Sequence, residues 1–342
     1  MKLSIIILCW NDLKVVPDCL KSIFDETDHI DFEVIVSDNG STDGSVEFIR
    51  ERFPKVRIVE NRANLGFAKG NNAGIRVAHG EYILILNPDT IIQDHAIEKL
   101  VAFADRHPEA GAFGCRVLNP DGSFQNPARP IPTLKGYLLA ALCLRWLGRA
   151  SVRFSSDLYP SWDGHSKREI GYQSGCCVMF RADLLKELGG FDERFFYHFE
   201  ETDLCARVWK SGASVLFDPE AEIVHLGGQS VGRFPIRFAL ETYRSGYRFF
   251  YKHYGRDALI RIRWVYLLHL YVRQIGYSFL NLVKPSESIR NRLAMYRVAT
   301  KWHRLLNPVQ FIETGHEPDI GYEPLAPSPK ANGIGVLSSG GR

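Results

Sequence analysis

Three acidic residues, Glu200, Glu201 and Asp203, fall within four positions of the chain, directly after an aromatic run. Crowding and partial burial raise the pKa of a carboxyl group toward the range in which its carboxylate takes a proton from a hydroxyl. Acids in a first helical turn also compensate the helix dipole. The dipole accounts for one or two of the three, so a general base among them is a hypothesis worth testing.

A second chemically capable pair, Asp89 and His225, lies far apart in the sequence. Mg²⁺ and Mn²⁺ prefer carboxylate oxygens, and Mn²⁺ also accepts an imidazole nitrogen. Together the two side chains could hold a divalent cation, which neutralises charge that builds on a departing diphosphate. A histidine that merely hydrogen-bonds at a strand end is the alternative for His225.

Polar clusters follow apolar runs that are typical of buried strands. Three of them are Cys9-Trp10-Asn11, Asp38–Gly44 and Asn87–Thr90, and His225 ends a fourth run. Ligands of open α/β sheets bind at the carboxyl ends of the strands, so convergence of these clusters would form a nucleotide site. Each cluster alone also fits an Asx turn, a helix cap or an ordinary strand-to-helix turn.

The elements that must position these residues alternate between strand and helix in the first half of the chain. Such alternation predicts βαβ units and a mostly parallel sheet. The predicted strands are 3–9, 32–37, 56–60, 82–86, 111–118, 172–180, 215–217 and 223–225. The predicted helices between them are 12–24, 45–52, 67–78, 94–106, 182–188 and 200–211.

Composition shifts divide the rest of the chain. Residues 119–172 are rich in Pro, Gly, Ser and aromatic residues and predict an irregular excursion within a first domain, 1–232. Residues 233–306 form a basic, aromatic-rich helical segment in which Gly255 is a predicted C-cap. Residues 307–342 are rich in Pro, Gly and Ser, so we expect a disordered tail.

Bulk composition and missing motifs exclude several classes of protein. With 45% apolar and 24% charged residues, the 342-residue chain is neither disordered nor fibrous. It lacks an apolar run long enough for a spanning helix, and its apolar start is too short for a signal peptide. Seven cysteines without a C-x-x-C motif argue against a disulfide framework and favour a cytoplasmic location. No G-x-G-x-x-G or P-loop motif occurs.

The net charge of +3 hides an asymmetry. Residues 233–304 carry 15 Lys and Arg against 3 acids, whereas residues 1–232 have a net charge of −7. A basic segment of this kind predicts an anionic partner surface. No nucleic-acid-binding module is recognisable, which favours lipid over nucleic acid. Helices that pack on the core with a solvated basic face are the alternative.

Taken in chain order, the motifs resemble those of family 2 glycosyltransferases, and within them the bacterial rhamnosyltransferase-like branch. The resemblance implies a GT-A fold, a Rossmann-like α/β fold of nucleotide-diphospho-sugar transferases, with helices on both faces of a mostly parallel sheet, here followed by the C-terminal basic helical segment. The motifs that carry it are 4–11, 38–44, 61–72, 87–90, 175–177, 189–192, 199–204 and 225–228.

The resemblance also implies roles for single residues. The expected nucleotide-sugar-binding residues are Cys9, Trp10, Asn11, Asp38, Asn64, Lys69, Asn87 and Asp89. Among them, Asp38 matches the acid that contacts base or ribose, and Lys69 is a candidate phosphate contact. Asp89 matches the last acid of a D-x-D motif and would bind Mg²⁺ or Mn²⁺ together with His225. The first position of that motif is Asn87, a departure that weakens the metal assignment.

For catalysis, the resemblance implies inversion at the anomeric carbon without a covalent intermediate. Glu201 matches the catalytic base, although the family usually has Asp there and Glu200 could take the role. Asp203 would orient the pair.

The expected reaction moves rhamnose from dTDP-rhamnose to a saccharide acceptor, lipid-linked in this interpretation, in cell-surface polysaccharide synthesis. The alternatives are a transferase for UDP-galactofuranose or UDP-N-acetylglucosamine, or a non-catalytic sugar-nucleotide-binding subunit. A nucleotidyltransferase is disfavoured because no Gly-rich basic loop follows the first strand. We expect a cytoplasmic protein held peripherally on the inner face of the plasma membrane, and the sequence carries no signal for its oligomeric state.

Overall fold

A computed structural model describes residues 1–144, 159, 162–227 and 235–321. The chain divides into two compact units, Met1–Thr133 with Leu147–Arg233, and Leu134–Trp146 with Phe234–Arg342. The boundary between Arg233 and Phe234 lies one residue beyond the expected end of the first domain at 232. Residues 134–146 group with the C-terminal unit, whereas composition placed them in the excursion of the first domain.

The first unit is a mixed α/β domain with a mostly parallel central sheet. Its strands are β1 (Leu3–Cys9), β2 (Phe32–Asp38), β3 (Arg57–Glu60), β4 (Tyr82–Leu86), β5 (Thr90–Ile92), β6 (Ala110–Leu118), β7 (Ala128–Arg129), β8 (Arg168–Glu169), β9 (Tyr172–Gln173), β10 (Cys177–Arg181) and β11 (Ser214–His225). Its helices are α1 (Val16–Asp25), α2 (Ser45–Arg52), α3 (Gly66–Ile75), α4 (Ala96–Asp105), α6 (Ala182–Glu187) and α7 (Glu200–Lys210).

The central sheet has the order β3-β2-β1-β4-β10-β6-β11-β5, and β8 pairs with β11. Strands β3, β2, β1, β4, β6 and β11 run in one direction, and β10, β5 and β8 run against them. The carboxyl ends of β1, β2, β4 and β11 therefore share one edge of the sheet, as the polar clusters predicted.

Residues of a strand alternate between the two faces of a sheet, and helices cover both faces of this sheet. Ile5 and Ile7 of β1 join one core cluster with residues of α1 and α4. On the other face, Gly70 and Gly74 let α3 approach closely. A Cβ atom on Gly70 would lie 2.4 Å from the side chain of Leu8. Burial on both faces explains why β1 is apolar from Ile5 to Cys9.

Two predicted strand boundaries are wrong. The predicted strand 172–180 is two strands, β9 and β10, which belong to different sheets. The predicted strands 215–217 and 223–225 are a single strand, β11, whose pairing with β6 is irregular between Asp218 and Glu222. Turn-forming residues inside each segment do not reveal whether the chain continues in the same sheet, because tertiary pairing decides that.

The C-terminal unit contains α5 (Leu134–Ala141), α8 (Pro235–Val283), α9 (Glu287–Leu305) and α10 (Pro308–Thr314). Helical geometry in α8 breaks at Gly255, whose φ is 81°, so the predicted cap lies at a break between two helical segments. Disorder was expected from residue 307, but α10 is a helix that buries Phe311. Residues 322–342 of that tail lie outside the described part of the chain.

Buried charges in this unit hold its C-terminal segment. Arg244, which is 5% exposed, donates from Nε and Nη2 to both carboxylate oxygens of Glu317 and from Nη1 to Glu241. Trp302 Nε1 donates to the same Glu317 carboxylate. Among the helices in the described ranges, none is both long and apolar enough to cross a bilayer.

Candidate active site

The end of β1 interlocks with the loop that follows β2. Asn11, with φ of 58°, accepts a hydrogen bond from Thr42 N at 2.7 Å through Oδ1, and its own N–H donates to Ser41 Oγ. Cys9 Sγ lies 3.8 Å from the same Ser41 hydroxyl, and Trp10 N donates to Asp12 Oδ2. The first two predicted nucleotide-binding clusters are thus in contact.

Asp38 forms the turn that begins the second cluster. It is 3% exposed, and its carboxylate accepts from Gly40 N at 2.9 Å and from Ser41 N. This is the Asx turn that the sequence left open as an alternative. Its contact with a base or ribose stays a prediction.

The segment 61–72 contributes loop geometry more than free polar groups. Asn64 Oδ1 accepts from Gly66 N at 3.0 Å and from Asn39 Nδ2 at 3.4 Å. Asn72 pairs with the backbone of Phe191, donating to its carbonyl at 2.8 Å and accepting from its N–H at 2.9 Å. Lys69 lies exposed on α3, and its phosphate contact stays a prediction.

Asp89 and His225 meet, as a shared cation would require. His225 Nε2 lies 3.2 Å from Asp89 Oδ1, and both side chains are largely buried. Asn87 Nδ2 lies 3.5 Å from the same His225 nitrogen. Leu226 N donates to the carbonyl of Asp89 and thereby fixes the end of β11 against the turn after β4.

The donor set and its spacing fit a divalent cation. Two ligands at right angles on an octahedral ion with bonds of about 2.1 Å are about 3 Å apart, close to the observed 3.2 Å. One carboxylate oxygen and one imidazole nitrogen also suit Mn²⁺ better than Ca²⁺. Asp89 and His225 are therefore the residues that would hold the ion.

Glu200 and Glu201 begin α7, and burial dominates the electrostatics of both. Burial raises the pKa of the Glu201 carboxyl to about 7, although backbone N–H groups, including that of Gly175, oppose the shift. Burial, and next the charge of Glu201, raise the pKa of Glu200 well above its usual value. The Oε2 atom of each is buried without a hydrogen-bond partner among the described residues. Of the two expected causes, crowding and burial, burial dominates and gives the Glu201 carboxyl a pKa in the range of a general base at neutral pH.

The Gly175-Cys176 segment links the carboxylate pair to the Asp89 turn. Asn87 N donates to the carbonyl of Cys176 at 2.9 Å, while the adjacent Gly175 N–H donates to the Glu201 carboxylate. The Glu200–Glu201 carboxylates therefore lie on one side of this short loop, and the Asp89 turn lies on the other.

Tyr197 lies near the predicted site residues, although its sequence position did not mark it. Burial and then the charges of Glu200, Glu201 and Asp89 raise the pKa of its phenol, so the ring stands near all three carboxylates. The two residues that follow, His198 and Phe199, both have positive φ, at 64° and 70°. Only tertiary structure brings this aromatic run to the Asp89 turn, so its residue types alone carried no signal.

Asp203 forms an ion pair within α7. It is fully buried and pairs with Arg207 Nε at 2.9 Å. The Arg207 guanidinium also donates to the carbonyls of Leu188 and Gly190. Asp203 thus anchors α7 to the Gly189-Gly190 turn, and its predicted orienting role would act through that turn.

The open α/β sheet carries Asp38 and the Asp89–His225 pair at one edge, and the acidic start of α7 is joined to that edge by the Gly175-Cys176 loop. This arrangement fits a sugar-nucleotide transferase. The family model described as glycosyl transferase family 2 matches residues 4–189, more than half of the chain. The chain belongs to this family and is a glycosyltransferase.

Relatives narrow the comparison. Over 245 residues the chain is 31% identical to an N-acetylglucosaminyl-diphospho-decaprenol L-rhamnosyltransferase of Mycobacterium tuberculosis, covering 68% of this chain and 78% of that protein. It is 28% identical over 218 residues to an O-antigen biosynthesis protein of Myxococcus xanthus, covering 61% of this chain and 16% of that protein.

A solved structure shares the fold. A mannosyltransferase from Pyrobaculum calidifontis, in complex with GDP-Man and Mn²⁺, aligns with a TM-score of 0.53 at 16% identity. The alignment covers 89% of this chain and 84% of that one. At this identity the likeness supports the predicted GT-A fold and nothing finer.

Proposed function

We propose that the protein transfers rhamnose from dTDP-rhamnose to a lipid-linked saccharide, with inversion at the anomeric carbon. The observation that carries the chemistry is the placement of Glu201, with a pKa of about 7, one short loop away from the Asp89–His225 pair. The sugar and the acceptor class rest on the relative from Mycobacterium tuberculosis, which is an N-acetylglucosaminyl-diphospho-decaprenol L-rhamnosyltransferase.

In this reaction Glu201 takes the proton of the acceptor hydroxyl, which attacks the anomeric carbon opposite the diphosphate. A Mg²⁺ or Mn²⁺ ion bound by Asp89 and His225 would supply electrostatic stabilisation of the diphosphate leaving group. Burial raises the pKa of Glu200 and so favours its neutral form, which would limit the negative charge beside the base. The buried phenol of Tyr197, close enough to Glu200, Glu201 and Asp89 to feel their charges, would line the space between the base and the cation ligands.

Donor preference is tested by calorimetric titration with dTDP-rhamnose, UDP-galactofuranose and UDP-N-acetylglucosamine, each with and without Mn²⁺. We expect cation-dependent binding of dTDP-rhamnose. Preference for a UDP-sugar would refute rhamnose while keeping the transferase. Donor binding without transfer to any polyprenyl-diphosphate-linked N-acetylglucosamine would instead support a non-catalytic subunit.

We also propose that the C-terminal unit docks on an anionic bilayer at the cytoplasmic face of the plasma membrane. Beyond Gly255, α8 exposes five large apolar side chains that fall within an arc of about 80° on the helical wheel. They are Trp264 (63% exposed), Tyr271 (44%), Ile275 (72%), Phe279 (64%) and Leu282 (82%). An aromatic and aliphatic face of this kind is typical of helices that lie in a membrane interface.

Charge on the neighbouring helix of the same unit supports an anionic lipid as the occupant. The predicted basic residues of α9 are all exposed, namely Arg290, Arg297, Lys301 and Arg304. Each Lys or Arg near an anionic surface contributes about 1 kcal/mol of attraction.

Co-sedimentation with vesicles tests the docking face. The wild type should sediment with phosphatidylglycerol-containing vesicles and much less with pure phosphatidylcholine, and the double variant Ile275→Ser/Phe279→Ser should lose most of this binding. Leu142→Ser, at another exposed leucine, is the matched control. Equal binding of wild type and double variant would refute the assigned face.

A further inference from the structure

A chain of hydrogen bonds runs from the surface to His225, one of the two proposed cation ligands. Asp121 Oδ1 accepts from the hydroxyl of Ser123 at 2.6 Å, and Ser123 Oγ accepts from Asn119 Nδ2 at 2.9 Å. Asn119 Oδ1 accepts from Gln125 Nε2 at 2.8 Å, and Gln125 Oε1 lies 2.7 Å from His225 Nδ1. The chain lies within a segment for which composition predicted only an irregular excursion.

The direction of every bond in this chain follows from its first acceptor. A carboxylate only accepts, so the hydroxyl of Ser123 must donate to Asp121 and its oxygen must accept from the Asn119 amide NH₂. The carbonyl oxygen of Asn119 then accepts from the Gln125 amide NH₂, which sets the orientation of the Gln125 amide. The carbonyl oxygen of Gln125 therefore faces His225, and His225 Nδ1 must carry the proton. In neutral His225, Nε2 then holds the lone pair, directed at Asn87 Nδ2 and Asp89 Oδ1.

Two electron-rich atoms 3.2 Å apart, one on each side chain, call for a positive charge between them. A divalent cation bound to both atoms satisfies the pair. Histidine ligands of metals usually donate their other ring N–H to a carbonyl or carboxylate that fixes the tautomer. Gln125 occupies that position here.

We propose that Gln125 is a positioning residue that selects the Nδ1–H tautomer of His225 and thereby prepares Nε2 as a cation ligand. The inference rests on the cation site of the proposed function. Gln125 itself touches neither the cation nor the substrate.

The fold explains why Gln125 reaches His225. The turn 119–123 reverses the chain after β6, with Asn119 N donating to Ser123 O and Gly122 at a φ of 79°. Gln125 N then donates back to Val117 O. Strand β6 pairs with β11, so this reversal lays Gln125 beside the last residue of β11.

Two substitutions separate the acceptor from the shape of the side chain. Gln125→Met keeps the length but removes the acceptor, whereas Gln125→Glu keeps an acceptor for Nδ1–H. The first readout is the ¹⁵N chemical shifts of the His225 ring in metal-free protein, assigned with His225→Gln. The second is the Mn²⁺ dissociation constant from calorimetry, measured without sugar nucleotide. Gln310→Met, at an exposed glutamine of α10, is the matched control.

We expect wild type and Gln125→Glu to show an Nδ1–H ring and similar Mn²⁺ affinity. Gln125→Met should populate the Nε2–H tautomer and bind Mn²⁺ about tenfold more weakly, the lower end of the effect known for such partners. Folded Gln125→Met with the wild-type tautomer and affinity would overturn the proposal, as would equal losses in both Gln125 variants. Wild type that binds no Mn²⁺ would overturn it too, while sugar transfer in the presence of EDTA would leave the transferase standing.

Discussion

The pH dependence of transfer is the sharpest test of Glu201 as the base. With a pKa of about 7, its carboxylate is fully available only above pH 8. Below pH 7 the rate should fall tenfold per pH unit, so that kcat/KM at pH 6 is about a tenth of its plateau and at pH 5 about a hundredth. Initial rates with saturating donor and varied acceptor, between pH 5 and 9, measure this limb.

The substitution Glu201→Gln should lower kcat by about 10²- to 10⁴-fold while donor affinity changes little. Glu200→Gln is the matched control, because burial already favours the neutral form that glutamine imitates. It should keep most of the activity and the same acidic limb. Loss of the limb in Glu200→Gln, with retained transfer in Glu201→Gln, would show that the base is Glu200.

Stability gives an independent signature of the same shift. A carboxyl group whose pKa is raised on folding, here from 4.5 to about 7, destabilises the fold when it is ionised. The cost is absent below pH 4.5, grows between pH 4.5 and 7, and reaches about 3 kcal/mol above pH 7. Glu201→Gln should therefore be inactive yet more stable than wild type in urea at pH 8, with little difference at pH 4.5. An inactive variant that is less stable at pH 8 would refute the reasoning and point to a structural role.

Three further predictions concern packing. Asn72→Ala removes both hydrogen bonds to the backbone of Phe191 and should cost about 2 kcal/mol in urea unfolding, whereas unchanged stability would contradict the bridge between α3 and the Gly189-Gly190 turn. Glu317→Gln leaves the Arg244 guanidinium short of a buried charge partner and should cost about 3 kcal/mol, lowering the melting temperature; an unchanged melting temperature would show that Glu241 suffices. Gly255→Ala should cost about 1 kcal/mol, because a Cβ there meets no atom within 4 Å and only the positive φ opposes it; a much larger loss would show that the break in α8 carries additional packing.

Sequence alone determined the parallel strands of the sheet and the edge on which the site lies, but not the antiparallel course of β5, β8 and β10. Strands buried on both faces are nearly continuous apolar runs, so Ile5–Cys9 of β1 and Tyr82–Leu86 of β4 are visible in the sequence. Parallel strands end at the same edge, which places the clusters after Cys9, Asp38 and Leu86 together without any knowledge of tertiary contacts.

Only tertiary structure decided what each polar residue does at that edge. The pKa of Glu201 depends on how many atoms surround its carboxyl group. The Asp203–Arg207 pair is an i,i+4 contact within α7, but the attachment of Arg207 to the carbonyls of Leu188 and Gly190 depends on tertiary structure. Neither the burial of Glu201 nor the attachment of Arg207 to the turn at 188–190 is encoded in local residue types. Gln125 shows the same limit most clearly, because a glutamine in an irregular segment has no pattern of its own. It gains a partner only because the register of β6 and β11 brings a turn and a strand end, 100 residues apart in the chain, within 2.7 Å of each other.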